Sequence, residues 1–304
     1  MKMSKHIPRP HRACHPIGRP GSALALLMML LLLMSMVQIA SAQTSYQDRD
    51  EQTVWKSLRK AYFKDRPIAD GKGVVGLDAP YRAEDAAVVP ITITDELSGD
   101  RDRRISKLWL VIDNNPEPMS AIFTFGPAAD RATLATRVRV NSYTYMRVIA
   151  ETSDNKLYMV KHYVKASGGC SAPVGSDPEK ALKHMGELRL REVRNDNDDG
   201  YRTQLQIRHP NITGLQMDQL TRLVYPAHFV DAITVKKGEE TVFDSHMTFS
   251  LSENPSLQFK VRDDVDGKLS VRVHDNKNNV FTQSWSAEKI RPPAVAANEE
   301  KTAS

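Results

Sequence analysis

From Val74 to Val164 apolar and polar residues alternate in short runs rich in branched side chains, the period expected of half-buried strands. Val88–Thr94, Lys107–Asp113, Ala121–Phe125, Arg137–Val140, Tyr143–Ala150 and Lys156–Val164 are each of strand length. Turn residues separate most of them, with Asp154-Asn155 a plausible hairpin turn before the last. Strands that short and that closely spaced predict a sandwich. A second block repeats the pattern with Leu188–Val193, Thr203–Arg208, Val230–Lys236, Val242–Phe249, Leu257–Val261, Lys268–His274 and Val280–Trp285. Lys237-Gly238 and Asp266-Gly267 supply turn signals between them. The expected class is therefore all-β, with two immunoglobulin-like β-sandwich domains in one chain.

Two short helices interrupt this pattern. Asp50–Phe63 places Val54, Leu58 and Tyr62 on one face with Trp55 beside them, capped by Asp48 or Asp50 and ended by Pro67 and Asp70-Gly71. Asp177-Pro178 opens a linker helix that Gly186 stops. Residues 291–304, rich in Ala, Pro and Glu, are expected to be a disordered tail.

The start of the chain changes the charge balance. Lys2, Lys5, Arg9, Arg12 and Arg19 precede an apolar run from Ala23 to Ile39, which ends in Ala40-Ser41-Ala42 before Gln43. A basic start, an apolar middle and a small-residue site read as a cleaved secretory signal over 1–42, which predicts a periplasmic protein with no membrane contact after cleavage. A membrane anchor is the competing reading, since the run is near the shortest spanning length. Removing five of the 42 basic residues and no acidic ones leaves 37 against 37. The whole-chain pI of about 9.1 is thus no argument for a nucleic-acid partner.

The same cleavage removes Cys14 and leaves Cys170 as the only cysteine. A lone thiol in an exported protein is intermolecular, blocked or used. It follows Gly168-Gly169 and precedes Ser171-Ala172-Pro173. Such a segment is either an exposed arm that presents the sulfur to a partner's narrow pocket or a tight Gly-Gly turn whose cysteine is incidental. Lys161 and Lys165 lie close in sequence, where they either raise the thiolate fraction or solvate a strand end.

Other polar residues offer less. His209, before Pro210, and His228, in Pro226-Ala227-His228-Phe229, are read as hydrogen-bonding residues at strand ends, with metal binding as the rival. A copper loop would need Cys, His and Met close together, and His184-Met185 is wrongly spaced from Cys170. Asn211-Ile212-Thr213 matches a glycosylation sequon. No phosphate-binding glycine loop or catalytic triad stands out, so no catalytic residue, metal or cofactor is expected.

Several longer motifs carry a resemblance. Leu110-Val111-Ile112-Asp113-Asn114-Asn115-Pro116-Glu117-Pro118, Thr136-Arg137-Val138-Arg139 and Gly168-Gly169-Cys170 resemble SoxY of the bacterial thiosulfate-oxidation system. His209-Pro210-Asn211-Ile212-Thr213-Gly214, Pro226 to Val230, Glu253 to Phe259 and Val273-His274-Asp275-Asn276 resemble SoxZ. The order and coverage are those of the fused, quinoprotein-dehydrogenase-associated SoxYZ-like carriers. The resemblance implies a SoxY-like domain over 43–176, the linker helix over 177–186 and a SoxZ-like domain over 187–290 that pairs with the first. It also implies a non-catalytic carrier, with Cys170 as the covalent sulfur attachment and Gly168, Gly169 and Ser171 as its arm. The partners implied are periplasmic sulfur-oxidising or quinoprotein redox enzymes. One departure is that Cys170 is followed by Ser171-Ala172-Pro173 and a further domain, where the SoxY pattern ends in Gly-Gly. The alternative is a binding or assembly module for an exported quinoprotein alcohol dehydrogenase, in which the cysteine is dispensable.

Overall fold

The computed structural model describes residues 54–97, 103–173, 183–194, 201–219, 221–286 and 290. The expected signal segment, most of the expected linker helix and the expected C-terminal tail lie outside the described residues. The first half contributes strands β1 (Ile68–Asp70), β2 (Val75–Asp78), β3 (Val89–Asp95), β4 (Ile105–Ile112), β5 (Met119–Phe125), β6 (Ala129–Val138), β7 (Thr144–Thr152) and β8 (Leu157–Val164). The second half contributes β9 (Leu188–Arg194), β10 (Tyr201–Ile207), β11 (Val230–Lys237), β12 (Glu240–Met247), β13 (Ser256–Val261), β14 (Leu269–Asp275) and β15 (Val280–Trp285).

Each half is an all-β sandwich, as its alternation predicts. The halves do more than touch. One sheet runs β1-β8-β7-β4-β5-β12-β11-β14-β15 and the other β2-β3-β6-β13-β10-β9, so both sheets continue from one half into the other. The seams are antiparallel: β5 meets β12 from Phe125↔Phe243 to Ala121↔Met247, and β6 meets β13 at Leu134↔Phe259 and Ala135↔Gln258. An isolated half would leave two edges of unpaired N–H and C=O groups, and each half supplies the other's missing neighbour. Along the large sheet's seam Phe123 meets Phe243 edge to face at 5.9 Å, and across the layers Phe243 meets Phe259 at 5.1 Å. Such pairs add about 0.5–1.5 kcal/mol each beyond burial, so the seam is held by core as well as by backbone.

Strand β6 begins well before the expected Arg137. Asp130, Arg131 and Thr133 give it no apolar alternation, yet β3 and β13 flank it on both sides and hold its backbone in the ladder. The N-terminal helix, α1 (residues 54–63), exists but turns a different face inward. Trp55, Leu58 and Phe63 pack on Val111, Met119, Ile149 and Leu157 of the large sheet, while Tyr62 is exposed. The helix ends at Lys64, whose φ of 53° breaks the ladder before Pro67 is reached. Beneath it the buried guanidinium of Arg147 donates to both oxygens of Asp113 at 2.8–3.0 Å and lies 4.4 Å from the Trp55 ring. Of the linker, the described end is a turn closing at Gly186, with φ 89°.

Candidate functional site

The chain leaves β8 at Val164 and crosses to the junction of the two halves. Lys165 N–H donates to Tyr81 C=O, Gly168 N–H to Asn141 C=O, and Gly169 N–H to Val140 C=O at 2.9 Å. Gly168 adopts φ +82°, in open space, which lets the chain turn so that Ser171 N–H donates back to the Gly168 carbonyl. Gly169 serves a different end. A Cβ there would run into the Ala86 carbonyl oxygen and lie 2.8 Å from that of Val140. The glycine pair therefore seats this segment against its own domain.

Cys170 is fully buried. This corrects the expectation of an exposed arm: Gly168 is half-buried, Gly169 buried, and only Ser171 of the four reaches solvent freely. The second half closes over it. Thr213 Oγ1 donates to the Cys170 carbonyl at 2.6 Å, and Gln216 Nε2 donates to the Ala172 carbonyl at 2.9 Å. Gln216 is itself steadied by Thr213 N–H, which donates to its Oε1. The segment is thus latched through its carbonyls, with the sulfur left out of the latch.

Burial pushes the thiol up to about 11, with the guanidinium of Arg139 pulling against it. Arg139, not Lys161 or Lys165, is the cation that acts on this sulfur. The two lysines lie over tyrosine rings, Lys161 4.6 Å from Tyr145 and Lys165 4.8 Å from Tyr81. Arg139 follows directly on β6 and is 2% exposed. Its Nη1 donates to the Gly169 carbonyl at 3.2 Å, and its Nε has no hydrogen-bond partner among the described residues. Asn115 holds this stretch in place: its Nδ2 donates to the Arg139 carbonyl and its Oδ1 accepts from Asn141 N–H, both at 2.9 Å. Sequence reasoning placed Arg139 only inside a family motif. The available signal was a charged residue between Val138 and Val140, where the surrounding residues demand burial.

His209 and His228 meet, as neither spacing nor order required. Their rings lie 4.8 Å apart, edge to face, and both Nε2 atoms point at Asp275 Oδ2, at 3.3 and 2.9 Å. Burial lowers His209 to about 4 against the pull of Asp275, which keeps it neutral at pH 7. Its Nδ1 accepts from Asn211 N–H at 3.1 Å, so the ring proton sits on Nε2 and is donated to the carboxylate. Asp275 also accepts from Asn279 Nδ2, Asn279 N–H and Lys277 N–H. Burial works to raise its pKa, but these bonds outweigh it and hold the carboxyl well below the usual range. In this tautomer His209 turns an N–H rather than a lone pair toward the carboxylate, and the cluster acts as a brace for the 209–217 segment that covers Cys170. Asn211, the sequon residue, is buried with Nδ2 on the Leu251 carbonyl and Oδ1 accepting from Val230 N–H, which leaves no room for a glycan in the folded chain.

Comparison with protein families matches residues 59–170 to "Sulfur oxidation protein SoxY" and residues 190–286 to "Sulphur oxidation protein SoxZ". The chain is a SoxY–SoxZ fusion. The SoxY match ends on Cys170 itself, and the SoxZ match contains Thr213, Gln216 and the His209–His228–Asp275 brace. The fusion is accordingly a protein related to sulfur oxidation. Among solved structures, the sulfur carrier protein SoxY from Chlorobium limicola f thiosulfatophilum is similar at 21% identity, covering 40% of this chain and 99% of that one, with a TM-score of 0.34. A superoxide reductase (neelaredoxin) from Ignicoccus hospitalis is similar at 12% identity over 30% of this chain and 78% of its own, with a TM-score of 0.27. No curated protein sequence matched the chain. In the SoxYZ fusion the SoxY-like segment thus ends at a buried cysteine that the SoxZ-like segment helps to cover.

Proposed function

We propose that this SoxYZ fusion is an exported, non-catalytic carrier that holds a sulfur-containing intermediate covalently on Cys170 and presents it to periplasmic redox enzymes. The observation that carries the reading is the position of Cys170 at the end of the SoxY match, in a segment latched through backbone carbonyls with its sulfur uncommitted. A thiol near pKa 11 is about one part in ten thousand thiolate at pH 7. The seated form is therefore a resting form, and loading requires the segment to lift from Thr213 and Gln216. Joining a thiol to a sulfur anion through an S–S bond releases the thiol proton and two electrons. No acceptor for them is proposed within this chain, so a partner redox enzyme takes them and supplies the activation.

The burial of the thiol favours a second reading, in which the fusion is an assembly module for a quinoprotein dehydrogenase and Cys170 is a small core residue. Intact-mass measurement on protein purified from its own host separates the two. A carrier shows added sulfur mass on Cys170 that a reductant removes, and Cys170→Ser abolishes the associated oxidation. An unmodified Cys170 together with full activity of the serine variant leaves the assembly reading. Sequencing the mature N-terminus tests export: a start near Gln43 is expected, and Met1 in the membrane fraction would contradict it.

A further inference from the structure

We propose that Arg139 is the anion-binding residue of the carrier site, and that the seated segment discriminates anionic oxyanion adducts on Cys170 from uncharged ones. This rests on the carrier reading and assigns a residue to its site. Arg139 is an always-charged guanidinium buried to 2% exposure, and no ion pair closes on it among the described residues. The carboxylates of Asp85 and Glu253 favour its charge electrostatically without closing an ion pair among the described residues. One arm of the fork is spent on the Gly169 carbonyl, the residue before the cysteine, while Nε remains without a partner in the protein. A buried cation held this way is unfavourable for the empty protein, since no ion pair among the described residues meets its charge and no acceptor meets its Nε–H. An anion arriving on the neighbouring sulfur would compensate both. Guanidinium matches the oxygens of a sulfonate-type group through paired charge-assisted hydrogen bonds. A persulfide protonated to its neutral form, or any uncharged adduct, has no such oxygens to offer.

The consequence is a charge-dependent seat. An S-linked oxyanion holds the segment closed, and its conversion to an uncharged adduct weakens the hold. Iodoacetate and iodoacetamide test this directly, because they place anionic and neutral groups of nearly equal size on the same sulfur. The full-length mature chain is alkylated with each in mild denaturant and returned to native buffer. We expect the carboxymethyl form to melt higher than the carboxamidomethyl form by about 3 °C. Arg139→Gln should erase that difference and Arg139→Lys should keep part of it. Alkylation kinetics on the untreated native protein give an independent measure, with iodoacetate gaining severalfold on iodoacetamide relative to the denatured chain. Equal melting of the two wild-type adducts with an unchanged rate ratio would overturn the proposal, as would a difference that survives in Arg139→Gln. Should Arg139→Gln fail to fold, the wild-type pair and Arg139→Lys carry the test. Loss of the carrier reading is distinguishable: host-purified protein without sulfur on Cys170 would remove it while leaving the charge discrimination measurable.

Discussion

Asp275 and Arg139 are buried charges at the same junction, one from each half, and they are treated in opposite ways. Asp275 accepts from two histidines, one asparagine side chain and two backbone N–H groups. Arg139 donates one bond to a carbonyl and keeps an unpartnered Nε. A buried charge with every lone pair occupied specifies geometry, and one left short of partners is a standing cost that only a ligand relieves. The brace on the SoxZ side and the seat on the SoxY side therefore divide the work between holding a shape and waiting for a group.

The sharpest way to break this contrast is Asp275→Ala. It strands His209 and His228 and releases the turn around Asn279, so the loss of stability should reach about 3–5 kcal/mol by denaturant midpoint. A loss under 1 kcal/mol would mean the brace is ornamental. Gly169→Ala attacks the seat instead. The new Cβ cannot coexist with the Ala86 and Val140 carbonyls. The segment should lift, the thiol should return toward its ordinary range, and iodoacetamide should react on the order of a hundredfold faster at pH 7. Unchanged reactivity would show that the seat does not protect the sulfur.

Acid should loosen the brace with a defined sign. His209 falls from its ordinary 6.5 to about 4 on folding, so between those values the unfolded chain binds the extra proton. Stability is full above pH 6.5 and declines as pH falls, by about 2 kcal/mol at pH 5. The lowered Asp275 adds a loss of the same sign at lower pH, below the unfolded carboxylate range. His209→Gln should flatten the profile between pH 6.5 and 5, and a profile that stays steep would assign it to other groups. The smallest effect belongs to the latch. Thr213→Val removes the 2.6 Å bond to the Cys170 carbonyl and the one accepted from Leu215 N–H. About 1 kcal/mol of seating should be lost, read as about fivefold faster thiol labelling.

Local pattern was enough for most of the strands, because alternation and turn residues act over a few neighbours. Val89–Asp95, Leu157–Val164 and Val280–Trp285 lie within a residue or two of their expected bounds. Cys170 could be singled out by counting cysteines, and the ordered motifs carried the SoxY and SoxZ resemblance before any fold was known. What alternation could not reach was anything decided by a partner far along the chain. Ala129–Leu134 joins β6 because β3 and β13 offer backbone on both sides, and no side-chain period announces that. Gly-Gly-Cys reads as a free arm in one dimension, yet Thr213 and Gln216, more than forty residues on, fasten it down. Lys161 and Lys165 stood nearer in sequence than Arg139, but Lys161 on β8 and Lys165 just past its end lie over tyrosine rings while the end of β6 brings the arginine to the sulfur. The chain by itself determined which residues could do chemistry. The sharing of two sheets between its halves decided which of them meet, because burial and charge at a junction depend on the surface that the other half brings.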